Sequence, residues 1–265
     1  MFPLHTKTFP ASASAFEELL NASLREVLTL RGDAVTVRGA QFPLIDEIAI
    51  ELIGATLRPN PPKPRPSVAP GKPALEVKRL TIRGENVPIG PAKANLALAA
   101  NGVRLGSGLD ANSEIVLNLD AAADGSVEIS ATKSDIESAI AEFAKREAEK
   151  QGVSIEDVRL TLRESGARAV EAEAVVRARK LFFTAVVRIA ASLRIDDEMN
   201  ATLSGVQCHG EGAIGSMACS FLEPHLAKVN GRTLSLMGLA LGGIRLRDVR
   251  LAAGDTISVR AEFGA

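Results

Sequence analysis

The chain has 265 residues, 46% hydrophobic, 24% charged and only 3% aromatic, and 31 Lys and Arg stand against 32 Asp and Glu. Such fractions belong to a chain that folds around a core, which excludes a wholly disordered protein. A formal net charge of −1 excludes a global basic field for nucleic acid. Tyr and Trp are absent, so the core is aliphatic with Phe, and ring faces on which bases stack are scarce. A first helix is expected over about 14–28. Ser14 and Glu17 have the spacing of a capping box, and Phe16, Leu19, Leu20, Leu24, Val27 and Leu28 repeat at helical intervals. Strand-like alternation follows in 35–38 and 48–57.

Between Arg58 and Pro73 lie seven prolines in sixteen residues, with Arg58, Lys63, Arg65 and Lys72 and no acid. Proline removes ladder donors and fixes φ, so this stretch reads as an extended basic loop. A solvated linker within one domain is the simplest meaning; an SH3-type ligand or a basic flap onto a membrane are the others. The motif Val35-Thr-Val-Arg-Gly39 with Pro43-Leu44 recurs as Leu80-Thr-Ile-Arg-Gly84 with Pro88-Ile89. Two related hairpin units would fit both copies.

Further strands are expected over 75–82, 95–99, 115–119 and 127–130. A second helix, 134–150, opens on Ser134 and Glu137 as another capping box, with Ile136, Ala139, Ile140, Phe143 and Ala144 as its buried stripe. From Leu181 to Ile195 every odd position is apolar, a period of two that predicts one long strand with a single apolar face. Shorter alternations over 158–162, 170–176 and 257–263 repeat the pattern. A third helix falls over 213–229, apolar over more than one face and carrying Pro224.

Long antiparallel strands with one apolar face need a cover, and the three helices supply it. The expected fold is therefore α+β, a long, strongly curled antiparallel sheet wrapped around amphipathic helices in a single domain over 1–265. The order in 134–265 is capped helix, alternating strands, a very long strand, a small-residue helix and closing strands. That order resembles the tubular lipid-binding (TULIP-like) domains. The stretch from Leu239 to Leu251, closing on Val259 to Gly264, is similar to the tail of the bacterial mannan-biosynthesis lipoprotein-like group. The resemblance implies binding of a phospholipid or fatty-acyl chain in an elongated hydrophobic tunnel, with transfer as its use and transient membrane contact. Its expected walls are Phe183, Val187 and Ile189 from the long strand, facing Met217, Phe221 and Leu222 from the third helix. The alternative is a non-catalytic structural or protein-interaction module with a packed core.

Two cysteines, Cys208 and Cys219, are too few for a disulfide framework and read as structural thiols. With His209 and His225 they match no zinc spacing, so no metal is expected. Gly210, Gly212 and Gly215 have dinucleotide-fingerprint spacing but follow no buried parallel strand, and close helix–sheet packing is the better reason for them. Asp196-Asp197-Glu198 reads as an acidic turn. No Gly-x-Ser-x-Gly elbow occurs, so neither catalysis nor a cofactor is expected. The first ten residues show no charged n-region and apolar h-region, and no run of about 18 apolar residues occurs. A cytoplasmic protein is expected, or an envelope protein if a leader precedes these residues.

Overall fold

A computed structural model describes residues 2–60, 62, 71–149, 152–180, 183–237 and 244–265. In chain order the elements are β1 (Phe2–Pro3), α1 (Ala13–Val27), β2 (Leu28–Thr29), β3 (Val35–Arg38), β4 (Leu44–Glu51), β5 (Thr56–Leu57), β6 (Lys72–Ile89), β7 (Ala92–Leu109), β8 (Ile115–Ala121) and β9 (Asp124–Thr132). Then come α2 (Lys133–Glu149), β10 (Ser154–Gly166), β11 (Ala169–Lys180), β12 (Phe183–Ile195), β13 (Asn200–Glu211), α3 (Gly212–Ala227), β14 (Thr233–Ser235), β15 (Arg245–Ala253) and β16 (Thr256–Gly264). Strand makes up 58% of the described residues and helix 20%.

Nine strands form one mixed sheet in the order β15-β16-β9-β7-β6-β4-β3, with β8 beside the second half of β7 and β1 beside β8. Its spine is the β6–β7 hairpin, two strands of 18 residues each; β4 runs parallel to β6. The apolar stripe of α1 covers this sheet. Phe16 and Leu20 are buried with Leu4, Val35, Ile45, Ile48, Val77 and Val103. A five-stranded antiparallel meander, β10-β11-β12-β13-β14, forms the second sheet. It is inserted between β9 and the β15–β16 hairpin, which returns to pair with β9.

The two sheets meet at β15. Ile195 and Met199 of the second sheet pack with Val249, Leu251 and Ala261 of the first. Arg168, in the β10–β11 turn, donates to Asp248 at 2.6 and 3.1 Å and to Asp197 at 2.9 Å. The Arg168 guanidinium, then that of Arg250, holds the Asp248 carboxyl below the usual carboxylate range. The acidic turn is structural in the same way. Asp196 accepts from the backbone and side chain of Asn200, which lowers its pKa.

Edge strands carry side-chain acceptors on their outward N–H groups. Asn21 Oδ1 accepts from Ala34 and Val35, and Glu17 Oε2 accepts from Val37 at 2.6 Å, both against β3. Glu137 does the same for Leu160 of β10, Asn230 for Val206 of β13 and Glu164 for Ala253 of β15. Each such bond takes up an outward N–H group and interrupts the backbone template on which another strand would add.

Several expectations need correction. The sheet is not strongly curled and does not wrap around the helices; a large mixed sheet and a smaller second one form instead. The reason lies in where the helices pack: α1 covers the first sheet, whereas α3 packs on β12 and β13 of the second. No single sheet therefore has all three helices to enclose, and the enclosed tubular architecture is not formed. Both supposed capping boxes dissolve. The α1 cap is Ser12, which accepts from Ala15 N–H. Thr132 accepts from Asp135 N–H ahead of α2, while Glu17 and Glu137 serve the sheet edges. Phe143 of the expected α2 stripe is 62% exposed. The first repeat copy is a true hairpin, β3–β4. The second lies inside β6, where Gly84 to Val87 is a register shift rather than a turn. Most of the proline-rich 58–73 loop, together with Leu181 and 239–243, lies outside the described residues.

Candidate functional site

The long alternating strand places its odd residues on one face. Antiparallel partners share that face, so Val187 lies in a row with Val158, Val176 and Gly210, and Ile189 in one with Leu160, Ala174 and Cys208. The even face is polar: Arg188 pairs with Glu211 at 2.7 Å and, at 3.9 Å, with Glu173. The hydrogen bond that Arg188 donates to Glu211 is the chief reason its pKa is raised.

After Glu211 the chain turns at Gly212, whose φ of +70° suits glycine, and α3 folds back over the odd face. The approach is backbone to backbone. A Cβ on Gly210 would lie 2.0 Å from the carbonyl of Gly215, and one on Gly215 would lie 2.9 Å from Gly210 and from the Val186 carbonyl. Small residues therefore serve close packing here, as their spacing suggested. Cys208 and Cys219 are joined as a disulfide, which corrects the reading of two separate thiols.

Residues on α3 advance about 100° each, which sorts them into three faces. Gly215 and Cys219 are buried on the inner face, with Leu222 and Leu226 half-buried beside them. Ser216, Ser220, Glu223 and Ala227 flank an open groove of about 590 Å³, whose other lining includes Gln207, His209, Asn230 and the disulfide. Opposite the inner face, Ala213, Met217, Phe221 and Pro224 form an apolar ridge turned to solvent. Met217 is 69% exposed and Phe221 67%.

Of the six expected lining residues, the structure therefore brings Val187, Ile189 and Leu222 to the α3-covered side. It turns Met217 and Phe221 away. Phe183 opens β12, and its side chain lies outside the described part. The stripe assignment fails at Leu222, which sits about 140° from Met217 around the helix. No gap for a chain is left where Gly210 meets Gly215.

The groove's polar groups are not arranged for nucleophilic chemistry. Ser216 Oγ donates to the Gly210 carbonyl at 3.4 Å and Ser220 Oγ to the Ser216 carbonyl at 3.1 Å, and no bond joins either serine to His209 among the described residues. No group of three or more His, Cys, Asp or Glu is placed to hold a metal among the described residues, and none of their helices is long and apolar enough to cross a membrane.

Sequence reasoning missed the disulfide, although the distances were available. Cys208 lies four residues before the helix start, about 13 Å of strand, and Cys219 seven residues beyond it, about 11 Å of helix. A helix folding straight back brings those two positions level. Comparison with protein-family models, curated proteins and solved structures finds no match to this chain.

Proposed function

We propose that this protein binds lipid through its acyl chain, with the outward ridge of α3 as the contact. One observation carries the reading: Met217 and Phe221, one turn apart, are both about two-thirds exposed on a helix that is apolar over more than one face. An apolar stripe on a helix ordinarily packs on a core or against lipid, yet this ridge faces outward. The blunted strand edges argue against edge-to-edge pairing with a protein partner, and the groove supplies no reactive cluster. The contact is the ridge and not the seam under the helix, because Gly210 and Gly215 close the seam.

Burying two such side chains in hydrocarbon contributes about 2–4 kcal/mol, so the contact is reversible and weaker than a single-chain anchor. Titration with oleate tests it. Uptake by the unmodified protein and loss in Met217→Ser/Phe221→Ser, with melting unchanged because both residues are exposed, supports the reading. Equal uptake by the variant, or none by either, overturns it; a protein bound through the same ridge in place of oleate would do so too.

A further inference from the structure

The way α3 is held differs from the way α1 is held. Large side chains of α1 enter the main core, whereas only Gly215 and Cys219 of α3 are buried. No side chain caps the α3 N-terminus at Glu211, and Pro224 lies within the helix, where it removes a backbone donor. Among the described residues, the side-chain hydrogen bonds tying it and the turn after it to β13 are from Ser216 Oγ to the Gly210 carbonyl and from Val206 N–H to Asn230 Oδ1. The covalent tie between helix and sheet is Cys208–Cys219. That bond borders the open groove, and Cys208 is only half-buried there.

Beneath α3 lie Val187 and Ile189, and its inner face carries Leu222 and Leu226. Lifting the helix would turn a closed seam into a two-walled apolar cleft. We propose that Cys208–Cys219 is a redox latch that governs access to this cleft: oxidised, it confines acyl contact to the outer ridge; reduced, it frees α3 and opens the cleft. The ligand half of this inference rests on the acyl-chain reading above.

The reductant is a dithiol. Its thiolate attacks the Sγ of Cys208, the less buried of the two cysteines, and breaks the S–S bond; a mixed disulfide forms, and Cys219 leaves as a thiolate that takes up a proton. The second thiol of the reductant then attacks the mixed disulfide and releases Cys208. Two electrons pass to the protein, two cysteine thiols result, and the reductant leaves as its own disulfide. An oxidising compartment keeps the latch shut.

The test uses the full chain, oxidised and after dithiothreitol, with Cys208→Ser/Cys219→Ser as the permanently open form. Hydrogen exchange is read separately on 212–227 and on 183–195, and oleate uptake is measured on the same samples. Expected are exchange in α3 faster by roughly tenfold to a hundredfold, unchanged protection of β12, and several-fold greater oleate uptake in both open forms. Unchanged exchange in α3 overturns the latch, as does loss of protection throughout the second sheet, which would make the bond a plain structural tie. Release of α3 with equal oleate uptake overturns its control of the cleft. Release with no uptake by any form supports the latch and overturns the acyl-chain reading, so the two failures are distinguishable.

Discussion

Gly210→Ala is the sharpest perturbation of the α3 seat. The new methyl would lie 2.0 Å from the Gly215 carbonyl group and 2.5 Å from the Ser216 nitrogen, all backbone atoms that cannot rotate aside. Opening that contact from 2.0 Å to an ordinary 3.4 Å moves the helix start by about 1.4 Å, against a disulfide two residues away. Overpacking of this kind costs about 1–3 kcal/mol, while the stiffer unfolded chain returns about 0.4–1 kcal/mol. A net loss of about 1–2 kcal/mol remains. For a chain of this size that lowers the melting temperature by roughly 2–8 °C. Gly254→Ala is the control, since a methyl there meets nothing within 4 Å. Urea denaturation of both variants at equal m-value is the assay. A Gly210→Ala protein as stable as Gly254→Ala would refute the close seating of α3 on β13.

Two further outcomes follow from hydrogen-bonded polar groups. Asn21→Ala strands the N–H groups of Ala34 and Val35, both buried, and is expected to cost about 2–4 kcal/mol by chemical denaturation. Asp248 is held ionised by Arg168 and Arg250, so its folded pKa lies below its unfolded value of about 3.9. Its contribution is then present above that value and is lost as pH falls through the folded one. The stability gap between the unmodified protein and Asp248→Asn should hold steady from pH 7 to 5 and shrink below about pH 4; a gap independent of pH would contradict the pairing.

Local periodicity made much of this fold legible. The three helices form within a few residues of their expected bounds, and the odd–even sorting of β12 is as read. What periodicity does not carry is which face meets which partner. Glu17 and Glu137 fit capping boxes by spacing alone, but only the long-range placement of β3 and β10 shows them to be edge caps. The 18-residue strands β6 and β7 were broken into short pieces because Gly84, Pro88 and Gly102 interrupt the alternation, although pairing carries the strands across. That α3 is apolar over more than one face was visible, but its inward side could not be chosen from it. Gly215 and Cys219, not Met217 and Phe221, face the sheet, because backbone contact and a disulfide set the distance. That choice turned Met217 and Phe221 outward and moved the candidate site from a seam to a ridge.

Because the chain has no Trp or Tyr, Phe221→Trp places a single fluorophore on the ridge. Titrated with a stearate brominated along its chain, the oxidised variant should shift its emission to the blue and be quenched, as the acyl-chain account predicts. Emission that stays at the wavelength of a water-exposed indole, unquenched through saturation, would contradict it.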